Sequence, residues 1–273
     1  MNGNGYLLIS RRINVKMLKE ETKFINSNIF EGMPSISAVI KSIESGVSTR
    51  KILNVFVDIS KKKSKAREIS FLNAKVHQHG FEVEFKDSDY IDSLTVGNTH
   101  GGIIAVCSER EIPRLTADRI KSDGVYYLLE GIEDPYNFGN ALRSIYASGA
   151  DGIILGERNW LGVAGTVARA SAGTSELLPS YICDTVSAVD IFKDQGYTVI
   201  CAGIRNSESL FDTDLSKPLL VVLGGEKRGI SSSVLEKADK IVRIDYGTEF
   251  MGSLSASASA AVFAFEILRY NKK

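Results

Sequence analysis

Asn137, Arg143, Glu226, Ser253 and Ser255 are the side chains of this 273-residue chain best suited to polar chemistry. Each falls where a strand is expected to end or the following helix to begin. An amide, a guanidinium, a carboxylate and two hydroxyls position a substrate and stabilise developing charge rather than attack covalently. Taken singly, Asn137 reads as a helix cap, Glu226 as a turn carboxylate and Arg143 as a solvated helical arginine. No Ser/His/Asp set can be assembled from His77, His79 and His100, the chain's three histidines. His77 and His79 lie at a helix end without a third ligand, so they read as surface residues and no metal is expected. Cys107, Cys183 and Cys201 are far apart and odd in number, which points to buried free thiols.

A second candidate is the loop Gly224-Gly225-Glu226-Lys227-Arg228-Gly229, directly after the apolar run Leu219 to Leu223. Glycines allow a bound small molecule close to main-chain amides. The loop has the glycine spacing of a phosphate-binding loop, but Ile230 stands where the lysine is required, which disfavours triphosphate hydrolysis. No Gly-x-Gly-x-x-Gly follows a strand, so a dinucleotide site is disfavoured as well.

These residues need a scaffold, and the patterning predicts one. Strands are expected at 125–129, 153–155, 197–201, 219–223 and 241–244, with helices at 138–148, 163–170 and 186–195 and a terminal helix opening in the serine/alanine run from Ser253. That alternation predicts an α/β fold whose mainly parallel sheet is covered by helices on both faces, with ligands at the carboxyl ends of the strands. Upstream, strands at 52–59, 81–85 and 102–107 with helices at 66–79 and 88–94 form a small α/β unit. The expected division is an extension over 1–33, a small domain over 34–110, a linker over 111–122 and a larger domain over 123–273. Net charge is zero, but residues 1–121 carry 19 Lys and Arg against 14 Asp and Glu, and the remainder 14 against 19. The densest basic cluster, Lys61, Lys62, Lys63, Lys65 and Arg67, would suit a phosphate backbone, although taken alone it reads first as a solvated loop. No apolar run is long enough to span a bilayer and no secretory leader is visible, so a cytoplasmic protein is expected.

Three segments, in order, carry a resemblance. Leu129-Glu130-Gly131-Ile132-Glu133-Asp134-Pro135-Tyr136-Asn137-Phe138-Gly139-Asn140-Ala141-Leu142-Arg143-Ser144, Leu223-Gly224-Gly225-Glu226-Lys227-Arg228-Gly229-Ile230-Ser231 and Ser253-Leu254-Ser255 resemble the three motifs of the SpoU/TrmH family of RNA ribose 2'-O-methyltransferases. Val167 to Gly173 resembles the segment between the first two motifs. Residues 34–107 more weakly resemble the small ribosomal-protein-like RNA-binding domain that often precedes this catalytic domain.

The resemblance implies a trefoil-knotted C-terminal sheet, an exception to the rule against threaded chains, and a homodimer. It implies S-adenosylmethionine held by backbone around Gly224, Gly225, Ile244 and Leu254, with Gly229 closing the loop. The substrate implied is RNA, ribosomal RNA before transfer RNA. Arg143 matches the catalytic arginine and is expected to bind a phosphate and steady the developing alkoxide, while Asn137 and Glu226 fix the guanidinium and substrate and Ser253 and Ser255 shape the cofactor end. One position departs: Ser255 stands where the third motif usually has asparagine. A serine has shorter reach, so a catalytically inactive RNA-binding or ribosome-assembly relative is the alternative.

Overall fold

The computed structural model describes residues 28–95, 100–156 and 163–272; residues 1–27 of the expected extension lie outside them. Ile29–Glu31 (β1), Gly32–Glu44 (α1), Ile52–Asp58 (β2), Ala66–His79 (α2), Glu82–Lys86 (β3), Ser88–Leu94 (α3) and Ile103–Cys107 (β4) build a small unit. Its sheet has the order β1-β4-β2-β3, antiparallel except for the β2/β3 pair. β1 lies within the stretch read as an extension. Phe30, Val39, Val55, Leu72 and Phe81 meet in its core. Helix α2 stops at Gly80, whose φ of 70° is the left-handed conformation a side chain disfavours.

The second unit contains Val125–Glu130 (β5), Pro135–Ala147 (α4), Gly152–Leu155 (β6), Ala164–Ala170 (α5), Thr174–Leu177 (α6), Ser180–Ile182 (β7), Thr185–Asp194 (α7), Thr198–Ala202 (β8), Glu208–Ser209 (β9), Leu219–Gly224 (β10), Ser232–Leu235 (α8), Lys240–Arg243 (β11) and Ala256–Asn271 (α9). All seven strands are parallel, in the order β7-β6-β5-β10-β8-β11-β9. The central strands are apolar on both faces because both faces are covered. Tyr127, Leu129, Val221 and Leu223 pack under α4 and α9 against Phe138, Leu142, Phe263 and Ile267. Tyr126, Leu128, Leu220 and Val222 point the other way, onto Ala188, Val189 and Phe192 of α7.

Two helix starts differ from expectation, and side-chain capping explains both. Helix α4 begins at Pro135 because the Asp134 carboxylate accepts from the Asn137 amide at 2.7 Å and proline fits the first helical position. Helix α9 begins at Ala256 because Ser255 Oγ accepts from the Ala258 amide at 3.2 Å, leaving Ser253 and Leu254 in the preceding loop. The expected strand at 241–244 is Lys240–Arg243, so Ile244 lies past its end.

The units share a buried seam. Arg50 after α1 and Glu176 on α6 form an ion pair at 2.9 Å, with both side chains enclosed. Arg169 on α5 meets Glu31 on β1 at 3.0 Å. A Cβ on Gly165 would lie 2.1 Å from the Ile29 carbonyl oxygen, so the absent side chain lets α5 lie against β1. The expected linker is tied to the large sheet, since the Leu115 amide donates to the Ile182 carbonyl at 3.0 Å.

Candidate active site

Strand order places the site. From β5 the chain adds β6 and β7 on one side; it then adds β8 on the other, and β10 fills the position between β5 and β8. Crevices at such reversals, beyond the carboxyl ends of the strands, are where parallel sheets bind ligands. Here the turns after β5 and β10 touch: the Gly225 amide donates to the Glu130 carbonyl at 2.7 Å. A Cβ on Gly225 would lie 1.9 Å from the Gly131 oxygen, so only glycine permits the contact.

Two clefts open there and share Glu226. The first, about 280 Å³, runs over the carboxyl ends of β8, β10 and β11 and is closed by the start of α9. Leu223, Val242 and Phe263 give it an apolar floor, and Gly224, Gly225 and Gly229 bring backbone to its edge. Glu226 lines it, and among the described residues no lysine or arginine does. A cleft of that character suits a ligand with an apolar body and positive charge, and opposes a polyphosphate. The second cleft, also about 280 Å³, lies between Gly131 to Pro135, Asn137, Glu226 and Lys227.

Hydrogen bonds join the clefts. Asn137 Nδ2 donates to Glu226 Oε1 at 2.8 Å. The same oxygen accepts, more weakly, from the Ala256 amide at 3.4 Å at the amino end of α9, where a carboxylate is favoured. Ser257 Oγ donates to Asn137 Oδ1 at 3.1 Å. The Asn137 amide is thus held at both ends, its NH2 toward the glutamate and its oxygen toward the serine. Ser257 Oγ also lies 3.0 Å from Ser255 Oγ. The Leu254 amide donates to the Tyr246 hydroxyl at 3.2 Å, pinning the loop that precedes α9.

Of the residues singled out from sequence, Asn137 and Glu226 meet directly, and Ser255 joins them through Ser257 and the helix cap. Gly224, Gly225, Gly229, Ser253 and Leu254 line the first cleft together with Glu226. Ile244 is not among its lining residues and packs at the margin of the main core. Arg143 stands apart. It is exposed, on the outer stripe of α4 with Tyr136, Asn140 and Ala147, and has no hydrogen-bond partner among the described residues. The expectation that Asn137 and Glu226 would fix its guanidinium is therefore not met: those two hold each other, because six residues of helix carry Arg143 about 9 Å along the axis and round to another face.

Sequence reasoning missed Ser257 and Tyr246. Ser257 is hidden in an unbroken alternation of serine and alanine, in which only the helix start decides which hydroxyl turns toward α4. Tyr246 belongs to an irregular loop with no period to read. All three cysteines are free thiols, as expected, with Cys107 and Cys201 buried and Cys183 only partly so. Burial pushes the Cys107 and Cys201 thiols up to about 12, which keeps them protonated and poor nucleophiles near neutral pH. Among the described residues no cluster of three or more His, Cys, Asp or Glu side chains is placed to hold a metal ion.

Known proteins place this architecture. Residues 124–265 match the model of the SpoU rRNA Methylase family. A Staphylococcus saprophyticus protein, provisionally named a TrmH family tRNA/rRNA methyltransferase, is 30% identical over 238 residues, covering 85% of this chain and 92% of the relative. A Bacillus subtilis protein with the same provisional name is 26% identical over 239 residues, covering 85% and 93%. The fold superposes on the crystal structure of an RNA 2'-O ribose methyltransferase with a TM-score of 0.74 at 21% identity, covering 90% of this chain and 89% of that one. An rRNA methyltransferase from Sinorhizobium meliloti, solved with S-adenosylmethionine bound, gives 0.73 at 20% identity, covering 92% and 94%. With the family model spanning the whole parallel sheet and the glycine turns, asparagine and glutamate meeting at its crevice, this chain belongs to the SpoU family of RNA methylases.

Proposed function

We propose that this protein is an S-adenosylmethionine-dependent RNA ribose 2'-O-methyltransferase acting on ribosomal RNA. The observation that carries the reading is Glu226, shared by a cleft suited to a cationic, partly apolar cofactor and one that presents Asn137. In this reading Leu223, Val242 and Phe263 support the cofactor, the backbone at Gly224, Gly225 and Leu254 contacts its polar edges, and Ser253 closes the rim. The bound cofactor supplies an activated methyl group.

The chain's own residues prepare the acceptor. Asn137, oriented by Glu226 and Ser257, positions the ribose in the second cleft. Arg143, exposed on α4, binds the phosphate neighbouring the ribose as a cation rather than serving as a base, and the proton leaving the ribose hydroxyl passes to water. Closeness of the two reacting groups provides most of the acceleration. Ser255 keeps the capping role at α9 that an asparagine would also serve, so the departure at this position is compatible with activity.

Three further assignments accompany this reading. The segment from β11 to α9 threads the chain as a trefoil knot, supported by α9 packing on α4 although β11 lies beyond β8. A second copy docks on α9, whose outer face presents Ala258, Ala261, Phe265 and Leu268, with Phe265 48% exposed. The small domain, preceding a linker and the catalytic domain, meets RNA through the exposed Lys61, Lys62, Lys63 and Arg67, in a cytoplasmic enzyme.

Replacing Arg143 with alanine tests the reading. Methyl transfer should fall by about 10²-fold or more, while calorimetry shows S-adenosylmethionine affinity within about twofold, since the guanidinium lies outside the cofactor cleft. Transfer within a few-fold of wild type defeats the assignment.

A further inference from the structure

The seam between the two sheets contains a charge that its neighbours leave uncompensated. Arg50, Arg110 and Glu176 are all buried there, at 3%, 6% and 3% exposure. Arg50 is fully engaged: its guanidinium donates to both Glu176 oxygens, to Asn28 Oδ1 and to the Ser108 carbonyl, and lies over the Phe30 ring. One carboxylate and two guanidiniums leave one positive charge, on Arg110. Arg110 donates through Nη1 to the Ser175 carbonyl at 2.7 Å and through Nη2 to the Leu178 carbonyl at 3.2 Å, both neutral acceptors. Its Nε and the Ser175 hydroxyl are buried without a partner among the described residues. Both residues line one cavity of about 50 Å³, walled mainly by Phe138, Leu142, Leu155 and Val167.

The chemistry of the walls selects the guest. A guanidinium Nε can only donate, and a serine hydroxyl is free to. Glu176 and Ser180 also line the cavity: the Glu176 carboxylate accepts from Arg50, the Ser175 and Leu178 carbonyls accept from Arg110, and the Ser180 hydroxyl donates to the Leu178 carbonyl. A water needs acceptors as well as donors, whereas an anion needs donors alone and also neutralises the buried cation, which would otherwise carry its desolvation cost. We propose that this cavity is a binding site for a small monovalent anion, chloride in the simplest case, bound by Arg110 Nε and Ser175 Oγ. The site lies under Phe138 and Leu142, the inner face of α4, so the bound anion fastens the small unit and the helix carrying Asn137 to a common support. Nothing in this depends on the methyltransferase reading.

The full chain, dialysed into gluconate, is titrated with sodium chloride or bromide against gluconate at constant ionic strength, and thermal unfolding is followed. Wild type should gain about 2–3 °C for each tenfold rise in halide above the dissociation constant. Arg110→Met should lose that dependence and Ser175→Ala should weaken it. Crystals grown in bromide should give an anomalous peak within hydrogen-bond distance of Arg110 Nε and Ser175 Oγ, a readout that survives if the arginine variant does not fold. Equal unfolding temperatures in gluconate and halide, or ordinary water density in the cavity with bromide only at the protein surface, overturn the proposal.

Discussion

Ser257 decides which way the Asn137 amide points. Its hydroxyl donates to Asn137 Oδ1, so the Nδ2 group is left for Glu226. Without that bond the amide can turn over. Ser257→Ala should lower methyl transfer about tenfold, the worth of one net hydrogen bond at the upper end of its range, while calorimetric affinity for S-adenosylmethionine changes less than about twofold; equal losses in both would place Ser257 in the cofactor cleft instead. Gly225 is constrained from the other side. A methyl group there collides with the Gly131 oxygen, so Gly225→Ala should cost about 1–3 kcal/mol in a denaturant melt and also open the contact between the β5 and β10 turns, seen as weaker cofactor binding. Of these features, the glycines and Glu226 were legible because an apolar strand stopping at a glycine pair has few structural meanings. The Asn137–Glu226 contact, between residues 89 positions apart, follows from strand order, which no local pattern encodes.

Capping governs the elements. Helix α4 starts earlier than its apolar stripe because Asp134 and Pro135 set its first turn, and α9 starts later than its serine run because Ser255 caps it. The caps were visible as residue types but competed with a periodicity that gave no boundary. Strands β5, β6, β8 and β10 were readable from sequence because each is a continuous apolar run buried on both faces; β7, β9, α6 and α8 are too short to show a period. The far end of α9 is fixed by Asp214, which accepts from the Ser216 hydroxyl at 2.7 Å and from Tyr270 at 3.0 Å. The Ser216 hydroxyl first, then the Ser216 amide and Tyr270, bring its carboxyl down to about 2 from 3.8. A depressed carboxylate contributes stability that is present above its unfolded value and is lost as pH falls through the folded one. Acid unfolding between about pH 4 and pH 2 should therefore be shallower in Asp214→Asn than in wild type, with the neutral-pH unfolding temperature lowered. Parallel acid profiles would remove Asp214 from the anchoring of α9.

At the scale of the whole molecule, two sheets share a seam with buried charge, and a helix face leaves Phe265 exposed. The two sheets follow two separate strand patterns in the sequence, whereas Arg50 and Glu176, 126 positions apart, carry no sign of pairing. The exposed face belongs to α9. If a second copy docks there as proposed, Phe265→Glu should convert the dimer to a monomer in sedimentation at micromolar concentration, since a charge in an apolar interface has no partner; a monomeric wild type would remove the second copy from the account. The most direct test of the central claim is the chemical position of the transferred methyl group. Ribosomal RNA from cells lacking the protein is incubated with the enzyme and radiolabelled S-adenosylmethionine, then hydrolysed in alkali, to which a 2'-O-methylated linkage is resistant. The account predicts label in alkali-resistant dinucleotides, lost with Arg143→Ala. Label confined to mononucleotides, marking transfer to a base, would contradict it.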